Sequence, residues 1–483
     1  MSRGGRKYRY SPNRFTMRHD DFTAIDPTTG RTLETYAVCD PTALDHAVDR
    51  AVNAARQRAQ MSVADRVEPL ARLEDLLTDR ADAWARLAAR EMGKPLAEGR
   101  AEVRKCAWLC RVVRERAARW LAPDPLAAED GVGTWQRYDP LGVIFGIMPW
   151  NYPFWQVVRF AVPALAAGNS VLMKHASNVP GCSLALQDAF TEVFGPDAFQ
   201  QLFITHDQTS ALIEDDRIAG VSLTGSEGAG RAVGALAGGA IKPQVLELGG
   251  SDPFLVLPEA DLDAAMAGLI ASRMGNAGQS CIAAKRVILH TDVRDAFIER
   301  LLPAFEALTV GDPGDEATDL GPVARADLAE TVRRQVEASV NAGARILAAR
   351  DVPSEGFFVP PTVLAAVRPG MPAFDEEIFG PVIALIDAPD VETMVELANR
   401  SRYGLGASIW TRDSVRGAEL AVRLEAGNVH VNEPVKSDPN LPFGGVKRSG
   451  VGKEMGRDGM RAFTMVKTIR VRETDGRTAA ADD

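Results

Sequence analysis

The sequence predicts an α/β protein: a doubly wound parallel sheet followed by a second α/β block. Three observations predict it. From Gly142 onward, short apolar runs alternate with helical segments, the pattern of buried parallel strands joined by crossover helices. Two of those runs end in glycine-rich turns, Gly225-Ser226-Glu227-Gly228-Ala229-Gly230 and Glu247-Leu248-Gly249-Gly250. The residues able to do chemistry fall just after the runs, at the strand ends where such sheets bind ligands.

Taken in order, residues 1–18 are basic and polar without an apolar core, and read as a disordered leader or an over-long start. From 41 to 121 the pattern is helical, with Leu70, Leu73, Leu76 and Leu77 at three- and four-residue spacing and Gly93, Pro95 and Gly99 as punctuation. Strands are expected over 143–147, 170–173, 219–223 and 244–248, separated by helices over 157–166, 181–194 and 228–237. A second block spans 251 to about 428, with a strand over 286–290, a helix near 293–308, and later strands opening at Pro360 and Ile378. Residues 463–472 alternate apolar and polar, as an edge strand does; with no obvious partner in their own block, they are expected to pair elsewhere, another subunit being one option. The Ala/Asp tail reads as disordered.

At 483 residues, two or three domains are expected. A net charge of −10 argues against nucleic acid or an anionic membrane as the main partner. The most apolar stretch, 160–173, is broken by Pro163 and Asn169 and is too short to span a membrane. Five scattered cysteines make no disulfide framework, and a reducing cytoplasm is the natural compartment. Cys106 and Cys110 share a helix face, but no histidine stands at metal-ligand spacing, so they read as buried small side chains and no metal is expected.

Three residues have chemistry to offer, and each has an ordinary reading beside it. Cys281, in Gly278-Gln279-Ser280-Cys281, is either a small buried side chain or a nucleophile at a loop-to-helix junction, its thiolate favoured by the helix N-terminus. Glu247 is either a solvated strand end or a general base. Asn151, in Pro149-Trp150-Asn151-Tyr152-Pro153, either makes an Asx turn or donates its amide to an oxyanion. The segment from Gly225 to Gly230 comes after a strand and opens a helix, which suits a pyrophosphate, though its order is not Gly-x-Gly-x-x-Gly.

Together these segments resemble the aldehyde dehydrogenase superfamily from about Asp26 to Arg472. The likeness adds Thr224-Gly225-Ser226, Glu377-Ile378-Phe379-Gly380-Pro381-Val382 and Pro442-Phe443-Gly444-Gly445 to the motifs above. It implies a cofactor domain (19–118 and 139–250), a catalytic domain (251–446) and a small β oligomerisation arm (119–138 and 463–473). It implies that Cys281 forms a thiohemiacetal whose oxyanion is held by Asn151 and the Cys281 amide, and that Glu247 activates water against the thioester. Lys174 joins this catalytic set and, with Glu377, should hold ribose hydroxyls. Ile147, Pro149, Trp150, Ser177, Gly225, Ser226, Gly230, Leu248 and Phe379 complete the implied cofactor site. A homo-dimer or homo-tetramer is implied as well.

Within the superfamily the likeness points to NAD(P)-dependent succinate-semialdehyde dehydrogenases, through Lys174-His175-Ala176-Ser177 and Ser437-Asp438. It implies that Arg159 and Ser437 meet a substrate carboxylate; a surface arginine is the ordinary alternative. Where some relatives carry a second arginine, this chain has Gly275, with Arg273 two residues earlier, which puts a two-arginine clamp in doubt. Ala283 replaces the second cysteine that serves some relatives as a redox switch. Serine rather than glutamate at 177, with Lys174 and His175 adding positive charge, predicts that NADP is preferred and NAD accepted. Another semialdehyde, an uncharged aldehyde, or a catalytically idle binding or structural protein remain as alternatives.

Overall fold

The computed structural model describes residues 22–127 and 132–472. The expected leader and tail, and residues 128–131 and 473 of the expected arm, lie outside the described residues.

The N-terminal third is helical, as the leucine spacing predicts. Leu70, Leu73, Leu76 and Leu77 form the buried face of the helix Leu70–Asp79, which packs on the 26-residue helix Leu96–Leu121. Each such leucine contributes roughly 1.5–3 kcal/mol on burial. Cys106 and Cys110 lie in the same core and are fully buried.

Beyond this helical layer stands a six-stranded sheet in the order Gly450–Val451, Gln244–Glu247, Ile218–Thr224, Val143–Met148, Ser170–His175, Phe199–Gln201. All its pairs are parallel except the first. The chain runs outward from Val143–Met148 through the next two strands. It then returns to the other side of that strand with Ile218–Thr224, so the winding reverses between these neighbours. Loops leaving the two strands diverge there and open a crevice. The helix that crosses the sheet after the first strand, Trp155–Ala166, has every residue buried.

Next comes a seven-stranded sheet, in the order Arg345–Ala349, Thr362–Ala365, Val382–Ala388, Ala284–His290, Asp252–Val256, Gly406–Trp410, Asn428–Val431. Only its first pair is antiparallel. The chain then crosses back: Val446–Lys447 pairs with Tyr403–Gly404, and Gly450–Val451 pairs antiparallel with the end of Gln244–Glu247. Thr464–Arg472 finds its partner in Val132–Pro140 of the same chain, antiparallel along its whole length, with Asp124–Pro125 as a third strand. Among the described residues, no helix is long and apolar enough to cross a membrane.

Candidate active site

The helix Leu262–Met274 leads into a tight 3-10 turn, Gly275–Gly278. Asn276 and Ala277 hold φ of 53° and 51° there, a left-handed conformation unusual for alanine. Two buried cations hold this backbone in place. Arg273 donates from Nε to the Val382 carbonyl (2.5 Å), from Nη1 to Gly278 (3.2 Å) and from Nη2 to Ile378 (3.0 Å). Lys285 Nζ donates to the carbonyls of Ser280 (2.6 Å) and Cys281 (2.7 Å). Arg273 is thus committed to three backbone carbonyls and lines neither cavity at Cys281.

Beyond Cys281 the structure differs from the helix expected on sequence grounds. The chain makes a turn and enters the strand Ala284–His290, so no helix N-terminus lies beneath the sulfur. Ile282-Ala283-Ala284 fits a buried strand as well as a helix, and periodicity alone does not separate the two. Burial pushes the Cys281 thiol up to about 12; Lys285 and Arg159 pull it down, while Glu247 and Glu377 oppose them. The thiol is therefore protonated at neutral pH and needs a base.

Glu247 closes its strand opposite Gly450 and is 1% exposed, so it is not a solvated strand end. Its carboxylate makes no well-formed hydrogen bond and has only a marginal approach from the Gly445 amide. Burial holds its pKa well above the ordinary carboxylate range; Arg159 works against that rise and Glu454 adds to it. The direction of that shift raises its affinity for a proton, as a general base requires.

Asn151 does not make a local turn. Its Nδ2 reaches the Gln279 carbonyl (3.1 Å), and its own carbonyl accepts from Asn276 Nδ2 (2.7 Å). The side chain is tied to the nucleophile's own loop, and its second amide hydrogen is available to an acceptor.

Two cavities meet at Cys281 and Gln156, which line both. The first, about 340 Å³, is the crevice at the sheet's winding reversal. It brings together Pro149, Trp150, Gly225, Ser226, Leu248, Glu377 and Phe379 from the expected cofactor set, with Asn151 beside Cys281. Ser226 caps the 13-residue helix Glu227–Gly239, accepting from the Ala229 amide (3.2 Å), so that helix's first turn faces the crevice. Glu377 is held by the Gly250 amide (3.0 Å), and a Cβ at Gly249 would collide with its carboxylate. Phe379 meets Trp150 edge to face at 5.8 Å.

Ile147, Lys174, Ser177 and Gly230 do not line this crevice. Ile147 and Lys174 are register partners on adjacent strands, and the Lys174 ammonium sits 5.5 Å from the Phe22 ring centroid. Ser177 is exposed just past the strand Ser170–His175, and Gly230 packs against Leu248. His175 differs from expectation. It is buried with Nε2 on the Pro153 carbonyl (2.8 Å) and Nδ1 accepting from the Ala176 amide (2.8 Å). Burial pushes its pKa down to about 4, so it adds no positive charge.

The second cavity, about 390 Å³, runs from Cys281 past Tyr152 and Trp155 to Arg159, Lys105 and Ser437. Arg159 is 2% exposed and not a surface residue. Its guanidinium pairs with Glu454, approaches Thr224 Oγ1 (3.4 Å) and lies 5.1 Å from the Phe443 ring centroid. Sequence reasoning missed Lys105, Gln156, Lys285 and Glu454. The signal for Lys285 was its place four residues after Cys281. Glu454 carried none, because its role depends on a chain crossing between two sheets.

The aldehyde dehydrogenase family profile matches residues 15–469. The chain belongs to the aldehyde dehydrogenase family. This dehydrogenase is 45% identical over 449 residues to a protein of Mycobacterium tuberculosis named succinate-semialdehyde dehydrogenase [NADP(+)] 1, covering 92% of this chain and 98% of that one. A Mycobacterium leprae protein named succinate-semialdehyde dehydrogenase [NADP(+)] is 43% identical with the same coverage. Among solved structures, succinic semialdehyde dehydrogenase from Streptococcus pyogenes in complex with NADP+ superposes with a TM-score of 0.91 at 32% identity, covering 94% of this dehydrogenase and 100% of that chain.

Proposed function

We propose that this dehydrogenase oxidises succinic semialdehyde to succinate, with NADP preferred and NAD accepted. The observation that carries the reading is the position of Cys281 where a dinucleotide-shaped crevice meets a cavity lined by cations. The crevice fits such a cofactor. A capped helix end faces where a pyrophosphate would lie, Glu377 offers a carboxylate to a ribose hydroxyl, and Phe379 offers an aromatic face. When bound, the dinucleotide supplies the hydride acceptor.

Glu247 takes the proton from Cys281, and the thiolate attacks the aldehyde carbon to give a thiohemiacetal. The Asn151 amide and the Cys281 backbone N–H donate to the oxyanion. After hydride loss leaves a thioester on Cys281, Glu247 releases the first proton to solvent and then deprotonates the water that cleaves the thioester, so that succinate leaves and the cysteine sulfur is freed. Lys285 and Arg273 keep the loop rigid so that the sulfur does not drift between steps. Lys174 is assigned with Glu377 to the ribose hydroxyls, and Ser177 to the adenosine ribose. The three-stranded arm, whose outer strand exposes Met465 and Val466, supports assembly into a homo-dimer or homo-tetramer. Five free cysteines suit the cytoplasm.

Two substitutions test the reading. Arg159→Met should raise KM for succinic semialdehyde by roughly 10- to 100-fold, the loss of a charged hydrogen bond, and affect butanal much less. Equal losses on both aldehydes would favour an uncharged substrate. Ser177→Glu should lower kcat/KM for NADP by roughly tenfold or more through repulsion of the 2′-phosphate, with little loss for NAD. Unchanged cofactor ratios in that variant would remove Ser177 from the cofactor site.

A further inference from the structure

We propose that Lys105 is the second cation that fixes the distal carboxylate of the aldehyde, acting with Ser437 and Arg159. The proposal rests on the carboxylate-substrate reading above and assigns the anchor that reading leaves incomplete. Gly275 stands at the wall of the substrate cavity and offers no side chain, and Arg273 is committed to three carbonyls. A second positive charge must come from elsewhere in the fold.

Lys105 projects into the cavity from the helix Leu96–Leu121 and is half-buried. Its ammonium donates to Ser437 Oγ (2.7 Å) and lies 4.4 Å from the Trp155 ring centroid. Among the described residues it pairs with no carboxylate. The other charges of the cavity are already matched: Arg159 with Glu454, Lys436 with Glu433 (2.8 Å), and Glu102 with Lys94. Glu98 accepts the Asn276 amide (2.7 Å), and burial raises its pKa to about 7. Lys105 is therefore a cation without a paired carboxylate in a largely apolar cavity, a state that an anionic ligand relieves.

Ser437 supplies an independent sign. Its hydroxyl oxygen accepts from Lys105 Nζ and from Trp155 Nε1 (3.1 Å). Both lone pairs are then engaged, so the hydroxyl proton is left to donate. A carboxylate placed there accepts from Ser437 and sits against the ammonium. Two groups prepared for an anion, on elements 332 residues apart in sequence, meet on one wall of the cavity that ends at Cys281.

The charge on Lys105 depends on pH. Burial and the Arg159 charge pull its pKa down to about 8, against weaker support from Cys106, Asp438 and Glu102. The free enzyme loses this cation as pH rises through about 8.

The test compares succinic semialdehyde with butanal, which has four carbons but no carboxylate, using NADP-saturated parent, Lys105→Met and Lys105→Arg at pH 7 and pH 9. Lys105→Met should raise KM for the semialdehyde by roughly 10- to 100-fold, with a smaller change in kcat and only a few-fold change for butanal. Lys105→Arg should recover most of the loss. The parent's preference for the semialdehyde should fall between pH 7 and pH 9, and that of Lys105→Arg should not. Equal losses on both aldehydes, or no recovery with arginine, would overturn the assignment while leaving the carboxylate reading standing. A parent without preference for the semialdehyde at pH 7 would overturn both. Butanal turnover reports whether each variant is folded; if Lys105→Met is not, the pH profiles of parent and Lys105→Arg decide.

Discussion

Cys281→Ala should lower aldehyde oxidation by on the order of 10⁴-fold or more, since loss of a covalent nucleophile leaves only binding and oxyanion stabilisation. Cofactor affinity should be nearly unchanged, because Glu377, Phe379 and the capped helix do not depend on the sulfur. The check is NADPH formation at saturating semialdehyde beside NADP binding followed by protein fluorescence. A mutant that retains a tenth of parental turnover would rule out a thioester path. The buried thiol adds a pH signature. With its pKa pushed up to about 12, Cys281 in the cofactor-free enzyme should react slowly with iodoacetamide at pH 7, and about tenfold faster for each unit of pH up to about 10. Flat alkylation rates between pH 7 and pH 10 would mean that Lys285 and Arg159 hold the sulfur as thiolate despite its burial.

Glu247→Gln should separate the two halves of the reaction. The amide keeps the size of the side chain but cannot take a proton, so thioester hydrolysis should slow by roughly 10²- to 10⁴-fold. Rapid mixing with NADP should then show a burst towards one NADPH per site, itself slowed because Cys281 has lost the base that takes its proton, followed by still slower turnover at the step that needs water. Denatured samples taken after the burst should carry a succinyl mass increment on Cys281. If the burst vanishes in proportion to the steady state, Glu247 acts chiefly on the thiol. The sign of its pKa shift leaves room for that outcome, since burial holds the carboxylate well above its usual range.

The alternation of strands and helices was legible because buried parallel strands must be short and apolar, and the chemistry had to come after them. That reasoning placed Asn151 and Glu247 at strand ends, where they stand. It failed at residue 282, where a small apolar run suits either element and the structure makes a turn and a strand. It misjudged His175, since nothing local reveals that Pro153 and Ala176 engage both ring nitrogens. It recognised Arg159 but not Glu454, because their pairing needs the late crossing of the chain. It passed over Lys105, one cation among several along a long helix, because only packing shows which face looks into a cavity.

That late crossing bears on how the enzyme comes into being. Gly450–Val451 closes the edge of the strand that ends in Glu247, and Ser449 Oγ donates to the Gly249 carbonyl, 200 residues back in the chain (2.6 Å). Contacts so distant form late, because closing the intervening loop is entropically unfavourable until the rest has collapsed. A nascent chain already holding Cys281, Asn151 and Glu247 still lacks the segment that buries Glu247 and brings Glu454 to Arg159. Competence should therefore wait on this last crossing, and a chain truncated before Ser449 should oxidise no aldehyde.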